Sequence, residues 1–121
     1  MLVQILKSKI HQARLTGCDL HYEGSLAMDL DLMDAAAIMP YEKILVVNAT
    51  NGERLETYAI PAPRGSRIFL LNGAAAHRGT PGDVITIMAF GAMTREEASR
   101  FTPTKIILDP DNRILGPEKA Q

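Results

Sequence analysis

Ser25, Arg54, Thr57, Tyr58 and Lys9 are the side chains through which this sequence could do chemistry. Beside them stand three scattered histidines, His11, His21 and His77, and a lone Cys18. Arg54 can grip a carboxylate in a planar two-pronged fork, although an arginine just past a hairpin turn is by default a solvated residue. Lys9 offers a second cation, and one charge in a partly exposed strand accounts for it equally well. Tyr58 carries a phenol able to hand over a proton, yet on composition it is an amphipathic strand residue with its ring packed inward. Ser25 follows Gly24 in His21-Tyr22-Glu23-Gly24-Ser25-Leu26, which alone reads as a strand running into a flexible turn. No zinc-type Cys/His spacing, Gly-rich phosphate loop or Gly-x-Ser-x-Gly elbow is present, and dispersed histidines favour isolated, hydrogen-bonded roles over a metal site. Cys18 falls in an expected turn without an activating base beside it, so it is read as non-catalytic.

The elements that must position these groups are short. Leu2 to Leu15 alternates imperfectly and predicts a long strand bent near its middle. Thr16 to Asp19 reads as a turn in which Gly17 is free to take a positive φ, and Leu20 to Glu23 as a short strand. Ala27 to Ile38 has the composition and spacing of a short helix, limited by Pro40. Lys43 to Asn48 and Leu55 to Ile60 flank Asn51-Gly52, the strongest hairpin signal in the chain and suited to a type I′ turn. Ser66 to Leu71, Val84 to Phe90 and Lys105 to Leu108 complete the strands. Asn72 to His77 opens into one helical turn, and Thr94-Arg-Glu-Glu97 forms a capping box for a brief helix. Beyond Asp109 the Pro- and Gly-containing tail is expected to fray. Many short strands with few helical pieces indicate a mainly β fold, a small closed barrel.

Bulk properties narrow the class without choosing a function. The 121 residues suit one domain, 46% apolar and 22% charged, with a net charge of −1. That balance gives no electrostatic footprint for nucleic acid or an anionic membrane. One cysteine cannot form an internal disulfide, the N-terminus lacks a signal-peptide pattern, and no apolar run has membrane-spanning length. A cytoplasmic location is the expectation. Three Tyr and three Phe with no Trp leave the core to aliphatic side chains.

Four motifs change the weight of these candidates when taken together. His21-Tyr22-Glu23-Gly24-Ser25, Thr50-Asn51-Gly52-x-Arg54-x-x-Thr57-Tyr58-Ala59-Ile60, Arg64-Gly65-Ser66 and Asn72-Gly73-Ala74-Ala75-Ala76-His77 occur in this order. In that combination the chain resembles the pyruvoyl-dependent aspartate 1-decarboxylase family, which makes β-alanine for pantothenate synthesis. The likeness runs from Lys9 to about Phe90 and fades beyond it.

The resemblance implies a six-stranded double-psi β-barrel with short helices, a single domain over residues 1–121, and a homotetramer with active sites between subunits. It also implies self-cleavage between Gly24 and Ser25, into a β chain of residues 1–24 and an α chain of residues 25–121. The Ser25 hydroxyl would attack the Gly24 carbonyl, and elimination and hydrolysis would convert Ser25 into a pyruvoyl group, with neither metal nor pyridoxal phosphate. Glycine suits that step through its tolerance of strained backbone and its open carbonyl. Thr57 is matched to the oxyanion donor. Through an imine with the substrate amine, the ketone would take up the electron density left when L-aspartate loses CO₂. Tyr58 would return the proton. Lys9, Arg54, Thr57, Asn72, Gly73, Ala74 and Ala75 would bind substrate, while His11, His21 and Tyr22 would shape the site or serve processing. Thr57 and Tyr58 face opposite sides of an ideal strand, so one pocket takes both only if the strand twists or a neighbouring subunit contributes. Maturation could be spontaneous or assisted by a partner protein. The alternatives are a pyruvoyl decarboxylase of another acidic amino acid, such as glutamate, and a non-enzymatic double-psi barrel serving as a binding module.

Overall fold

The computed structural model describes residues 1–117. Along the chain run β1 (Leu2–Arg14), β2 (Gly17–Asp19), β3 (Ser25–Asp29), α1 (Leu30–Ala35), β4 (Lys43–Asn48), β5 (Arg54–Ala62) and β6 (Phe69–Asn72). A 3-10 turn (Gly73–Arg78), β7 (Val84–Thr94), α2 (Arg95–Arg100), β8 (Thr104–Leu108) and β9 (Ile114–Pro117) follow. The fold is mainly β, with nine strands hydrogen-bonded in the order β2-β6-β3-β5-β4-β7-β1-β8-β9. Leu15 and Thr16 alone separate β1 from β2, so one edge of that order is covalently joined to a strand near the other edge. The sheet therefore curls on itself as a barrel, with β8 and β9 added outside the closure. At the seam, Leu15 N–H donates to the Asp83 carbonyl at 3.0 Å and Thr16 N–H to the Phe69 carbonyl at 2.9 Å.

Side-chain alternation fills the interior. Ile10, Leu26, Met28, Ile44, Val46, Ala59, Phe69, Leu71, Ile85 and Ile87 are all at most 2% exposed. Each large aliphatic residue buried this way contributes about 1.5–3 kcal/mol. The expected bend in β1 appears as two register shifts, between Leu6 and Ser8 and between Ile10 and Ala13, with Gln12 at φ +60°.

Several local expectations give way to tertiary contacts. Residues 17–19 form β2 rather than a turn. Gly17 is used for its size, because a Cβ there would lie 2.9 Å from Leu70 Cδ1. Residues 20–22 are a turn instead of a strand, with His21 N–H donating to Asp19 Oδ1 at 3.0 Å. The helix expected over 27–38 shrinks to α1 because Asp29 caps it. The carboxylate of Asp29, 1% exposed, accepts from Asp31 N–H at 2.8 Å, Gly65 N–H at 3.0 Å and Arg67 N–H at 2.8 Å. Arg67, at φ +57°, delays the next strand to Phe69.

The hairpin at Asn51-Gly52 is present, but its turn is not type I′. Gly52 has φ +79° while Asn51 is not left-handed, and Asn48 N–H reaches the Glu53 carbonyl at 2.8 Å across a four-residue loop. Buried Asn48 organises that loop, accepting from Thr50 N–H at 2.9 Å and donating to Asp83 Oδ2 at 2.8 Å. The capping box at Thr94 and Glu97 is present. The tail after Asp109 is tied down as far as Pro117: β9 pairs with β8, and Asn112 is 3% exposed. Residues 118–121 lie outside the described chain.

Candidate active site

Ser25 opens β3 fully buried and pairs across the ladder with Asn72, the last residue of β6. Asn72 Nδ2 donates to Ser25 Oγ at 3.0 Å, and the Ser25 hydroxyl donates to the Glu23 carbonyl at 3.3 Å. Asn72 is 1% exposed, and its Oδ1 has no partner among the described residues. A buried acceptor left unpaired costs about 1–3 kcal/mol, so the barrel holds this pair at some expense. Such local tension is what sites of chemistry tend to store.

The residue after Asn72 closes on the bond of interest. Gly73 has φ +68°, and a Cβ built on it would fall 2.7 Å from both Gly24 Cα and Gly24 N, and 2.9 Å from the Tyr22 carbonyl oxygen. Only a glycine lets the two backbones come this close. Gly24 itself is not left-handed, and a Cβ on it would meet nothing within 4 Å. The strained backbone expected at Gly24 is thus found at Gly73, and Gly24 contributes an uncrowded approach.

Tyr58 stands beside this cluster through strand register. β3 and β5 run parallel with Leu26 opposite Ala59, and one step earlier on each strand stand Ser25 and Tyr58. Leu26, Leu71 and Ala59 share a row and point into the core, all at most 1% exposed. By alternation Ser25, Asn72 and Tyr58 lie on the opposite, outward face. The Tyr58 ring lies 6.4 Å from that of Tyr41 at 31°. Tyr41 sits at φ +70° and donates its N–H to the Ala59 carbonyl at 2.7 Å. Nothing in the sequence marks Tyr41, since it follows Pro40 in a loop and its place is set by the β5 backbone.

The cationic candidates share the outward face but stand farther off. Arg54 is opposite Val47, Val47 opposite Thr86, and Thr86 Oγ1 lies 3.3 Å from His11 Nδ1, which makes one row across β5, β4, β7 and β1. The next row runs Glu56, Leu45, Met88, Lys9. Strands lie about 4.8 Å apart, so Lys9 and His11 are three strands, ~14 Å, from β5 along this part of the wall. Arg54 stands four residues before Tyr58, ~13 Å along the strand. A groove of about 420 Å³ lies on this face, lined by Gln4, Lys43, Ile44, Leu45, Glu56 and Phe90.

One chain therefore brings together Ser25, Gly24, Tyr22, Asn72, Gly73 and Tyr58, while Lys9, His11 and Arg54 remain apart from them. Thr57 faces the interior side, opposite Ile44. Ala74 is exposed and Ala75 half-buried in the 3-10 turn; the His21 side chain is exposed. Cys18 Sγ donates to the Gly79 carbonyl at 3.4 Å, and burial, aided by the charge of Asp83, pushes its thiol up, the wrong direction for a nucleophile. Among the described residues no three His, Cys, Asp or Glu side chains are grouped to hold a metal ion.

Known proteins resemble the chain over nearly its whole length. The aspartate decarboxylase family model matches residues 1–115, so the likeness extends past Phe90, where the resemblance read from the sequence fades. The chain is 55% identical to the aspartate 1-decarboxylase of Thioalkalivibrio sulfidiphilus over 95% of its own length and 91% of that protein. It is 53% identical to the enzyme of that name from Syntrophobacter fumaroxidans (93% and 90% covered) and 48% to that from Hyphomonas neptunium (94% and 97%). The chain belongs to the aspartate decarboxylase family.

Proposed function

We propose that the chain is an L-aspartate 1-decarboxylase, a carboxy-lyase forming β-alanine and CO₂ for pantothenate synthesis, and that it generates its own pyruvoyl group from Ser25. The observation that carries the mechanism is the buried Ser25 hydroxyl, gripped by Asn72 beside a Gly24 against which Gly73 is pressed. Ser25 Oγ is one five-membered ring away from the Gly24 carbonyl carbon. Attack there forms the Oγ–C bond, the C–N bond breaks, and the hydroxyl proton passes to the freed amine. Loss of the Ser25 Cα proton then expels the Gly24 carboxylate from Cβ, and water releases ammonia to leave the ketone.

In this reading Thr57 serves the oxyanion. Two register steps back from Leu26 and Ala59, Gly24 comes level with Thr57. A strand carbonyl lies in the plane of the sheet and not on either face, so Thr57 on one face and Tyr58 on the other can both approach this point.

The residues around Ser25 suit the small group they would generate. Asn72 Nδ2, the donor to Ser25 Oγ, is a donor that a carbonyl oxygen can use, and the glycine contact leaves the segment close-packed but free of side chains. The ketone supplies an electron sink for the carbon losing CO₂. Tyr58 holds the proton for that carbon, its ring steadied by Tyr41. Arg54 and Lys9 bind the substrate carboxylates, Asn72 and the Gly73–Ala75 backbone orient the bound end, and His11, His21 and Tyr22 border the site.

The spread of Lys9, His11 and Arg54 supports an assembly in which a neighbouring copy completes each site, a homotetramer. Counting β1 and β2 as one strand, the closed ring has six members, and the parallel β3–β5 and β2–β6 pairs suit a double-psi barrel. The described residues include no helix long and apolar enough to cross a membrane; a cytoplasmic location is part of this proposal. Intact-mass measurement of the purified protein should find two chains, 1–24 and 25–121, the larger without a free α-amine. A single chain after prolonged incubation, with a maturation partner supplied, would overturn the reading.

A further inference from the structure

Where β1 passes towards β2, Arg14 and Arg67 line an open cleft of about 400 Å³, together with Thr16, Gly82, Asp111 and Asn112. One buried amide builds it. Asn112 Oδ1 accepts from Arg14 N–H at 2.8 Å, and its Nδ2 donates to the Arg14 carbonyl at 3.0 Å and the Arg67 carbonyl at 3.1 Å. Arg67 is fixed further by its N–H donating to Asp29 Oδ2 at 2.8 Å, and it is held at φ +57°, a conformation that a long side chain rarely adopts. Asn112 is itself left-handed, at φ +60°. One strained arginine and one left-handed asparagine are thus committed to placing two arginines together.

Their charges are only partly offset: after the backbone N–H groups of Arg113 and Asp111, the charges of Arg113 and Arg67 help hold the nearby Asp109 carboxyl below its usual range. Arg14 Nε is buried without a partner, and among the described residues neither arginine forms an ion pair. Arg67 Nη1 makes a long bond, 3.3 Å, to the Asp111 carbonyl. The nearby acids are Asp109 and Asp111. Asp109 Oδ1 is taken up by the N–H groups of Asp111 and Arg113 at 2.8 and 2.9 Å. The Thr16 hydroxyl is committed to the Phe69 backbone. What the cleft lacks is an acceptor with several oxygens, the group that a guanidinium fork fits best.

We propose that this cleft is a second binding site, for a small oxyanion of the phosphate or carboxylate type, separate from the Ser25 centre. The test is calorimetric titration of the purified, processed protein with inorganic phosphate and, separately, with succinate, at constant ionic strength set by sodium chloride. The expected result, read in an Arg54→Ala background so that the substrate site's grip on succinate is removed, is saturable binding at one site per chain, weakened at least ten-fold when Arg14→Gln or Arg67→Gln is added. Both cleft variants should fold, because Asn112 holds the backbones of these residues and not their side chains; circular dichroism melts check this. Binding of phosphate alone assigns a phosphate site, and binding of succinate alone a carboxylate site. No saturable heat with either ligand, or affinity that survives both cleft substitutions, overturns the proposal.

Discussion

The Ser25 hydroxyl has two partners, a donor in Asn72 and an acceptor in the Glu23 carbonyl, and neither is a base. Its reactivity then has to come from placement: a buried hydroxyl one ring closure from the Gly24 carbonyl, in a segment that Gly73 keeps close. Ser25→Ala removes the attacking atom and with it both cleavage and activity, read as one uncut mass and no CO₂ release from aspartate. Tyr58→Phe separates the two roles. It should cleave normally yet lose roughly 100-fold or more in kcat, the scale of a positioned general acid. An unchanged turnover in the cleaved variant would remove Tyr58 as the proton donor.

At the scale of elements, the active strand β3 is short because a single carboxylate stops it. Asp29 ends the strand, caps α1, and fastens Gly65 and Arg67 of the loop that leads into β6. It therefore sets the entry of the strand that delivers Asn72 to Ser25. Asp29→Ala leaves three inward N–H groups without an acceptor, each costing about 1–3 kcal/mol. Urea unfolding should show a loss of at least ~3 kcal/mol. Asp29→Asn keeps one accepting oxygen and should lose about half as much, with the damage at Arg67 N–H, where an NH₂ replaces an acceptor. Equal midpoints for the two variants would show that the carboxylate's hydrogen bonds are not what holds this corner.

At the scale of the molecule, Ser25, Tyr58, Arg54, Lys9 and His11 lie on the outward face of the barrel, and Thr57 lies with the core on the inward face. Rows through β5, β4, β7 and β1 set Arg54, Lys9 and His11 on the same face as Tyr58 but in other rows of it, which supports a site completed by a second copy. Co-expression of Ser25→Ala subunits with Arg54→Ala subunits gives a direct check. Each variant alone should be inactive, and hybrids should regain activity, because some sites then pair an intact Ser25 with an intact Arg54 from another chain. Hybrids that form but stay inactive would place the whole site in one chain.

The sequence by itself offered Gly24-Ser25, Arg54, Tyr58 and Asn72-Gly73 as candidates through motifs whose order resembles one family, while residue type alone left each with an ordinary structural reading. It determined the β class, because alternation over β4, β5 and β7 is a local signal. It could not show that residues 17–19 pair with β6, that Asp29 cuts a helix-forming run short, or that Asn112 anchors the tail, for each depends on partners dozens of residues away. Tyr41 and the strain at Gly73 were hidden for the same reason. Gly73 requires glycine because of the backbone of Gly24, a contact that exists only once β6 lies beside β3. The motifs in their order pointed to the reaction through a family resemblance, and closure of the barrel decided which of the candidates stand next to Ser25.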